Sequence, residues 1–136
     1  MNGYLLDTNV LSEILKKRPE PGVLERLKTA PARSLATSSV CVTELRFGAA
    51  RHPQGTRLWE RIARDVLPRI RILPFSEAEA IHAGDLLAVL ESSDKRIGIE
   101  DVLIGATAIK ENLIVVTRNT RHFRRIPGLT VESWWP

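Results

Sequence analysis

The sequence predicts a single α/β domain built on a short, mainly parallel central sheet of four to five strands flanked by helices. Three observations carry that reading. Short apolar runs alternate with helix-length amphipathic stretches, the pattern of parallel strands joined by right-handed crossover helices. Breaks rich in proline and glycine, Pro19-Glu20-Pro21-Gly22 and His52-Pro53-Gln54-Gly55, punctuate those stretches. The 136 residues suit one domain spanning 1–136, long enough to bury a core without a disulfide or structural metal. No internal repeat, low-complexity tract or linker divides the chain.

Tyr4 to Asp7 reads as the first strand, and Val10, Leu11, Ile14 and Leu15 as the apolar face of the helix after it. Val23, Leu24 and Leu27 form the inner face of a second helix that Pro31 stops. A short strand follows from about Ser34 to Thr37, and Ser38 or Ser39 offers an N-cap for the helix written VCVTELRFGAAR. Beyond the break at Pro53 and Gly55, Leu58, Ile62, Ala63 and Val66 keep helical spacing as far as Pro68. IRILPF reads as the third strand. Ser76 with Glu79 three residues on predicts a capping box for a helix carrying Ile81, Leu86, Leu87 and Leu90. After the polar SSDKRIG loop, Ile99, Val102, Leu103, Ala106 and Ile109 make the buried stripe of another helix. LIVVT, Leu113 to Thr117, is a strand, and a last one around Leu129 to Val131 closes the sheet.

Composition narrows the environment. The single cysteine, Cys41, cannot form an internal disulfide, and residues 1–30 lack a basic segment followed by a long apolar one, so a reducing cytoplasm is the expectation. No apolar run approaches the ~20 residues of a membrane span. Twenty Lys and Arg against sixteen Asp and Glu give a net charge of +4, which suits a polyanionic partner.

The chemistry lies in three acids. Ligands of open parallel sheets bind outside the carboxyl ends of the strands, and Asp7 stands at such an end. Glu44 and Asp101 each fall near the start of a crossover helix, which begins at the same edge. Glu44 shares its helix stripe with the small residues Cys41 and Gly48, and Asp101 shares one with Gly105 and Ala108. Each acid has a plainer reading. Asp7 with Thr8 and Asn9 fits a helix N-cap, Asp101 fits a first-turn acid favoured by the helix dipole, and Glu44 could face water. Together they describe one cluster, and like charges gathered in a cleft are reconciled by a hard cation with oxygen ligands. His52, His82 and His122 show no paired spacing for zinc or for two-histidine RNA cleavage. Cys41 reads as a packing residue, and Trp134 and Trp135 could stack on bases but read first as packing for the final strand or a partner surface.

LLDTNVLSE, VTELRFGAAR, IEDVLIGATA and VVTRNTRHFRRIPGL, in this order and spacing, resemble the PIN domain, in particular the VapC toxins of toxin–antitoxin pairs. The resemblance covers nearly the whole chain. It implies a metal-dependent endoribonuclease that uses Mg2+ or Mn2+ to hydrolyse single-stranded or looped RNA with water as nucleophile. It matches Asp7, Glu44 and Asp101 to three acidic metal-site positions, Asn119 to a fourth catalytic position, and Thr8 and Thr117 to hydroxyls that orient acids and water. Many relatives carry aspartate where Asn119 stands, so one negative charge is missing and a second firmly bound ion is left open. Basic residues must flank such acids for RNA to approach. Arg118, Arg121, His122, Arg124 and Arg125, with Arg46 and Arg51, supply that rim. The implied partners are the RNA substrate, a cognate VapB-type antitoxin whose tail fills the groove, and a second copy in a homodimer, with no membrane.

Two rivals compete. A phosphotransferase forming an aspartyl phosphate on Asp7 calls for a second acid two residues on and a lysine after a later strand, but the chain has Asn9 and Arg118 there. A non-catalytic RNA-binding or assembly module that keeps the fold is conceivable from Asn119 and opposed by the three intact acids.

Overall fold

The computed structural model describes residues 3–136, so residues 1 and 2 of the expected domain lie outside the described residues. The sheet has five strands, β1 (Tyr4–Leu6), β2 (Leu35–Ser38), β3 (Arg71–Leu73), β4 (Ile114–Val116) and β5 (Val131–Glu132), in the order β3-β2-β1-β4-β5. Every pairing is parallel. Among the described residues seven α-helices connect and cover them: α1 (Thr8–Glu13), α2 (Pro21–Thr29), α3 (Ser39–Arg51), α4 (Gly55–Arg61), α5 (Glu77–Ser92), α6 (Ile99–Lys110) and α7 (Thr120–Phe123).

β1 sits at the centre because its short apolar run is covered on both faces, as parallel strands require. Leu5 and Val115 point into one core with Cys41, Leu86, Leu90, Val102 and Phe123. Leu6 and Val116 point into the other with Val10, Leu11, Val23, Leu45 and Trp134, the alternation of a pleated strand. The chain runs outward from β1 through β2 to β3, then crosses back to β4 and continues to β5. The winding direction therefore reverses between β1 and β4, and the crevice outside their carboxyl ends is the natural ligand site of this topology.

The predicted elements are present, most with boundaries shifted by a residue or two, but α1 stops at Glu13, so Ile14 and Leu15, expected on its apolar face, lie beyond it in the turn that follows. β1 ends at Leu6, and Asp7 is the N-cap of α1. Ser38 caps α3 by accepting a hydrogen bond from the Val40 amide at 3.0 Å. The helical spacing through Val66 is real, but α4 widens into a π turn over Ile62–Val66 before a 3-10 turn at Leu67–Arg69. The last strand is Val131–Glu132, paired with β4.

Three further expectations fail. Ser76 is the N-cap of α5, yet its hydroxyl donates to Glu79 Oε1 at 2.5 Å instead of capping a backbone amide. Glu79 is buried and also takes Lys110 Nζ at 3.2 Å, so the pair is an internal polar tie between α5 and α6. Ile81 is 64% exposed, because the buried stripe of α5 runs through Glu79, Ala83, Leu86 and Leu90 and Ile81 falls on the opposite side. Ile99, at the first position of α6, is likewise exposed.

The turn from α3 to α4 depends on Gly55, where a Cβ would run into the Ala49 carbonyl oxygen. Gly48, inside α3, has nothing within 4 Å of where its Cβ would stand. Gly55→Ala is therefore expected to destabilise the protein by ~1–3 kcal/mol through overpacking, while Gly48→Ala stabilises it by ~0.5–1 kcal/mol through helix propensity. Denaturant midpoints of the two variants check this, and equal midpoints would contradict the close approach at Gly55.

Candidate active site

At the carboxyl end of β1 the chain must turn from strand to helix, and Asp7 makes that turn. Its backbone amide donates to the Val116 carbonyl of β4 at 3.1 Å, so the residue is still held by the sheet. Its Oδ1 accepts from the Val10 amide at 3.1 Å and caps α1. Its Oδ2 accepts from the Thr117 hydroxyl, at the end of β4, at 2.5 Å. The Asp7 side chain thus spans the two strand ends that flank the switch in winding.

Asp7 is only 4% exposed. Burial pushes its carboxyl up to about 6, and the hydrogen bonds from Thr117 and Val10 offset only part of that, while the charge of Asp101 adds to it. Asp101, in the first turn of α6, is half-buried and also held above its ordinary value, by desolvation first and then by Glu44, with His122 pulling the other way. Asp7 is therefore electrostatically coupled to Asp101, and Asp101 to Glu44. Glu44 projects from α3 and is fixed by the Thr8 hydroxyl, which donates to Oε1 at 2.6 Å. Asp7 at the end of β1, Asp101 on α6 and Glu44 on α3 thus lie within electrostatic reach of one another in turn, Asp7 to Asp101 and Asp101 to Glu44.

Asn119 follows β4 and is held near the cluster by its backbone amide, which donates to Thr117 Oγ1 at 2.9 Å. Its side-chain nitrogen lies 2.8 Å from His122 Nδ1. Thr117 thus serves as donor to Asp7 and acceptor for Asn119. Among the described residues no three acidic, imidazole or thiol side chains close into a ready-made metal cage. The donor set of carboxylates, hydroxyls and a carboxamide, with an acid at Asp7 that burial has made costly to ionise, nonetheless suits a small hard cation that completes its shell with water.

The basic residues are distributed less tightly than the acids. Arg118, Arg121 and Arg124 are exposed on the segment after β4. The guanidinium of Arg118 lies 5.8 Å from the centre of the Trp135 ring, and its charge also reaches Glu13. Arg125 is turned away to donate to the Arg96 carbonyl at 2.9 Å. Arg46 reaches from α3 to α4 and lies over the Trp59 ring at 5.0 Å.

Glu13, not marked out by the sequence, is buried at the end of α1. Its Oε2 accepts from the Glu20 amide at 2.8 Å and its Oε1 pairs with Lys16 at 2.9 Å, which closes the loop between α1 and α2. A buried acid at the last position of a short helix carries no periodic signal, so only the fold exposes it. Trp134 packs as the sequence indicated, buried against Tyr4 with ring centres 5.3 Å apart.

Set beside known proteins, the chain matches the PIN domain model over residues 4–129. It is 36% identical to the VapC ribonuclease Y4jK of Sinorhizobium fredii, over 97% of this chain and 98% of that protein. It is also 36% identical to the toxin FitB of Neisseria gonorrhoeae, over 96% of this chain and 97% of that one. The crystal structure of VapBC2 from Rickettsia felis, bound to a DNA fragment from their promoter, superposes with a TM-score of 0.87 at 32% identity, covering 96% of this chain and 98% of that chain. The chain belongs to the PIN domain family.

The raised pKa of Asp7 has a defined consequence for stability. Between the ordinary value of 3.8 and about 6 the folded protein holds a proton that the unfolded chain has released, so stability falls as pH rises across that window. In the presence of a chelator, Asp7→Asn removes that penalty and keeps the cap, since asparagine caps about as well as aspartate. The variant is expected to gain up to ~3 kcal/mol over the wild type between pH 4 and pH 7. Urea titrations across that range measure it, and a difference that does not vary with pH would refute the assignment.

Proposed function

We propose that the chain, residues 1–136, is a Mg2+- or Mn2+-dependent endoribonuclease that hydrolyses phosphodiester bonds in single-stranded or looped RNA and acts as the toxin of a VapBC-type pair in the cytoplasm. The observation that carries this reading is Asp7, buried at the reversal between β1 and β4, tied to Thr117, and coupled through Asp101 to Glu44. Kinship with a VapC ribonuclease and a toxin supports the activity and the role. Among the described residues no helix is long and apolar enough to cross a membrane.

Asp7, Asp101 and Glu44 would hold the cation. When bound, it supplies a Lewis acid for a phosphate oxygen and makes a coordinated water more acidic. The chain's own residues do the positioning. Thr117 keeps the Asp7 carboxylate from rotating, and Thr8 does the same for Glu44. Asn119 completes the catalytic set by holding His122 beside Asp101. Arg118, Arg121, Arg124 and Arg46 draw the phosphodiester backbone toward acids that would otherwise repel it, giving affinity without sequence information. A VapB-type antitoxin would place a basic side chain near the acids and block the cleft, and a homodimer would be the unit that it captures.

Purified protein incubated with total RNA is expected to cut it with magnesium and not with a chelator, and Asp7→Asn, Glu44→Gln and Asp101→Asn are expected to lose cleavage. Magnesium at ~100 times its dissociation constant should stabilise the wild type by ~2.7 kcal/mol and each variant by clearly less. Wild-type cleavage rates and magnesium responses in all three variants would remove the site. RNA binding by the wild type without cleavage under any divalent ion would return the non-catalytic alternative.

A further inference from the structure

We propose that Arg118 and Trp135 form a stacking pair for one unpaired base of the RNA at the rim of the acid cluster, and so help to decide which base lies beside the bond that is cut. The proposal rests on the ribonuclease reading above. Two adjacent tryptophans follow β5, and the structure separates their roles. Trp134 is buried against Tyr4, and its Nε1 donates to Glu132 Oε2 at 2.8 Å. Trp135 is only partly buried. Its backbone is nonetheless fixed, because its amide donates to Ser133 Oγ at 3.2 Å and α2 approaches so closely that a Cβ at Gly22 would stand 3.1 Å from the Trp134 carbonyl oxygen. The second indole is thus presented from a held backbone with part of its surface left to solvent.

The group it meets is Arg118, whose guanidinium lies 5.8 Å from the ring centre. Arg118 is exposed and directly follows Thr117, the residue that holds Asp7, so the pair adjoins the proposed chemistry. Other arginines nearby are committed elsewhere, Arg26 to Glu132 and Arg125 to the Arg96 carbonyl. Among the described residues Arg118 has no carboxylate partner. Glu13, which feels its charge, gives its oxygens to the Glu20 amide and to Lys16 instead. Trp135 also lines a cleft of about 400 Å³, but the acids there, Glu20 and Glu25, repel a phosphodiester backbone, which leaves Arg118 as the favourable approach. Bases splayed from a single strand stack on aromatic rings and on guanidinium planes, and a planar guanidinium already laid beside a ring has less freedom to lose when a base joins it.

The test is fluorescence anisotropy of a labelled oligoadenylate of ~12 nucleotides, in chelator so that it stays intact, titrated at several salt concentrations. Arg118→Lys keeps the charge and removes the plane, so it is expected to weaken binding about tenfold while leaving the slope of log affinity against log salt unchanged. Trp135→Leu, which keeps an apolar side chain without a ring, should weaken binding by a similar factor. Trp135→Phe should bind as the wild type does, yet lose much of the tryptophan quenching that the oligonucleotide causes. Melting temperatures read beside the titrations show whether Trp135→Leu is folded, and if it is not, Arg118→Lys decides alone. If the wild type binds no RNA, the ribonuclease reading fails and this proposal with it. If the wild type binds and cleaves RNA while Arg118→Lys binds as tightly as it does, Arg118 acts only as a charge and the stacking pair alone is overturned. A folded Trp135→Leu with wild-type affinity would overturn it equally, by assigning Trp135 to packing.

Discussion

The hydrogen bond from Thr117 to Asp7 is the contact on which the rest of the arrangement depends. It joins the carboxyl ends of β1 and β4, the two strands between which the winding direction reverses, and it does so through a carboxylate buried almost completely. A buried charge is tolerated only where donors surround it. Asp7 receives one from the backbone of α1 and one from β4, and its own amide is fixed by Val116, so its position is determined by the sheet and the helix at once. Leu6 and Val116 on one side and Leu5 and Val115 on the other hold those strands in place.

From that anchor the other acids are set by helix geometry. α1 begins at Thr8, and the Thr8 hydroxyl reaches across to Glu44 on α3, so the residue after the anchor locates the second acid. Asp101 is carried by α6, whose buried residues include small ones, Gly105, Ala106 and Ala108. A Cβ at Gly105 would stand 2.7 Å from Ile126 Cδ1, so this helix lies close against the segment that follows α7. Close packing of α6 brings the acid into the field of the other two, and the price is mutual repulsion. A cluster that lowers the stability of the fold is what stability–function trade-off leads one to expect at the proposed catalytic site.

Much of this was legible in the sequence, because each piece has a local cause. Strand runs are visible as apolar clusters, helix starts as Ser38 or Asp7, and breaks as Pro53 and Gly55. The acids were legible because topology sends every crossover helix off from the same edge of the sheet. What was not legible depends on phase or on distant contacts. Ile81 has the composition of a core residue and lies on the wrong side of α5, and Ser76 with Glu79 spells a capping box but serves a tie to Lys110 instead. The π turn after α4 and the short helix α7 leave no periodic mark, since each is little more than one turn of backbone.

The opposition between cap and catalytic acid at Asp7 dissolves at the level of lone pairs. A carboxylate offers about four acceptor sites on its two oxygens. The Val10 amide occupies one on Oδ1 and the Thr117 hydroxyl one on Oδ2, so each oxygen keeps a site of its own. The cap therefore leaves acceptor sites free on the same carboxylate. Position 119 follows the same logic from the other side. A carboxylate there would add charge to a cluster already burdened with it, and it could only accept from His122. The carboxamide of Asn119 carries both donors and an acceptor, and its nitrogen lies 2.8 Å from His122 Nδ1. Asparagine thus holds His122 in place and adds no further negative charge to the three acids.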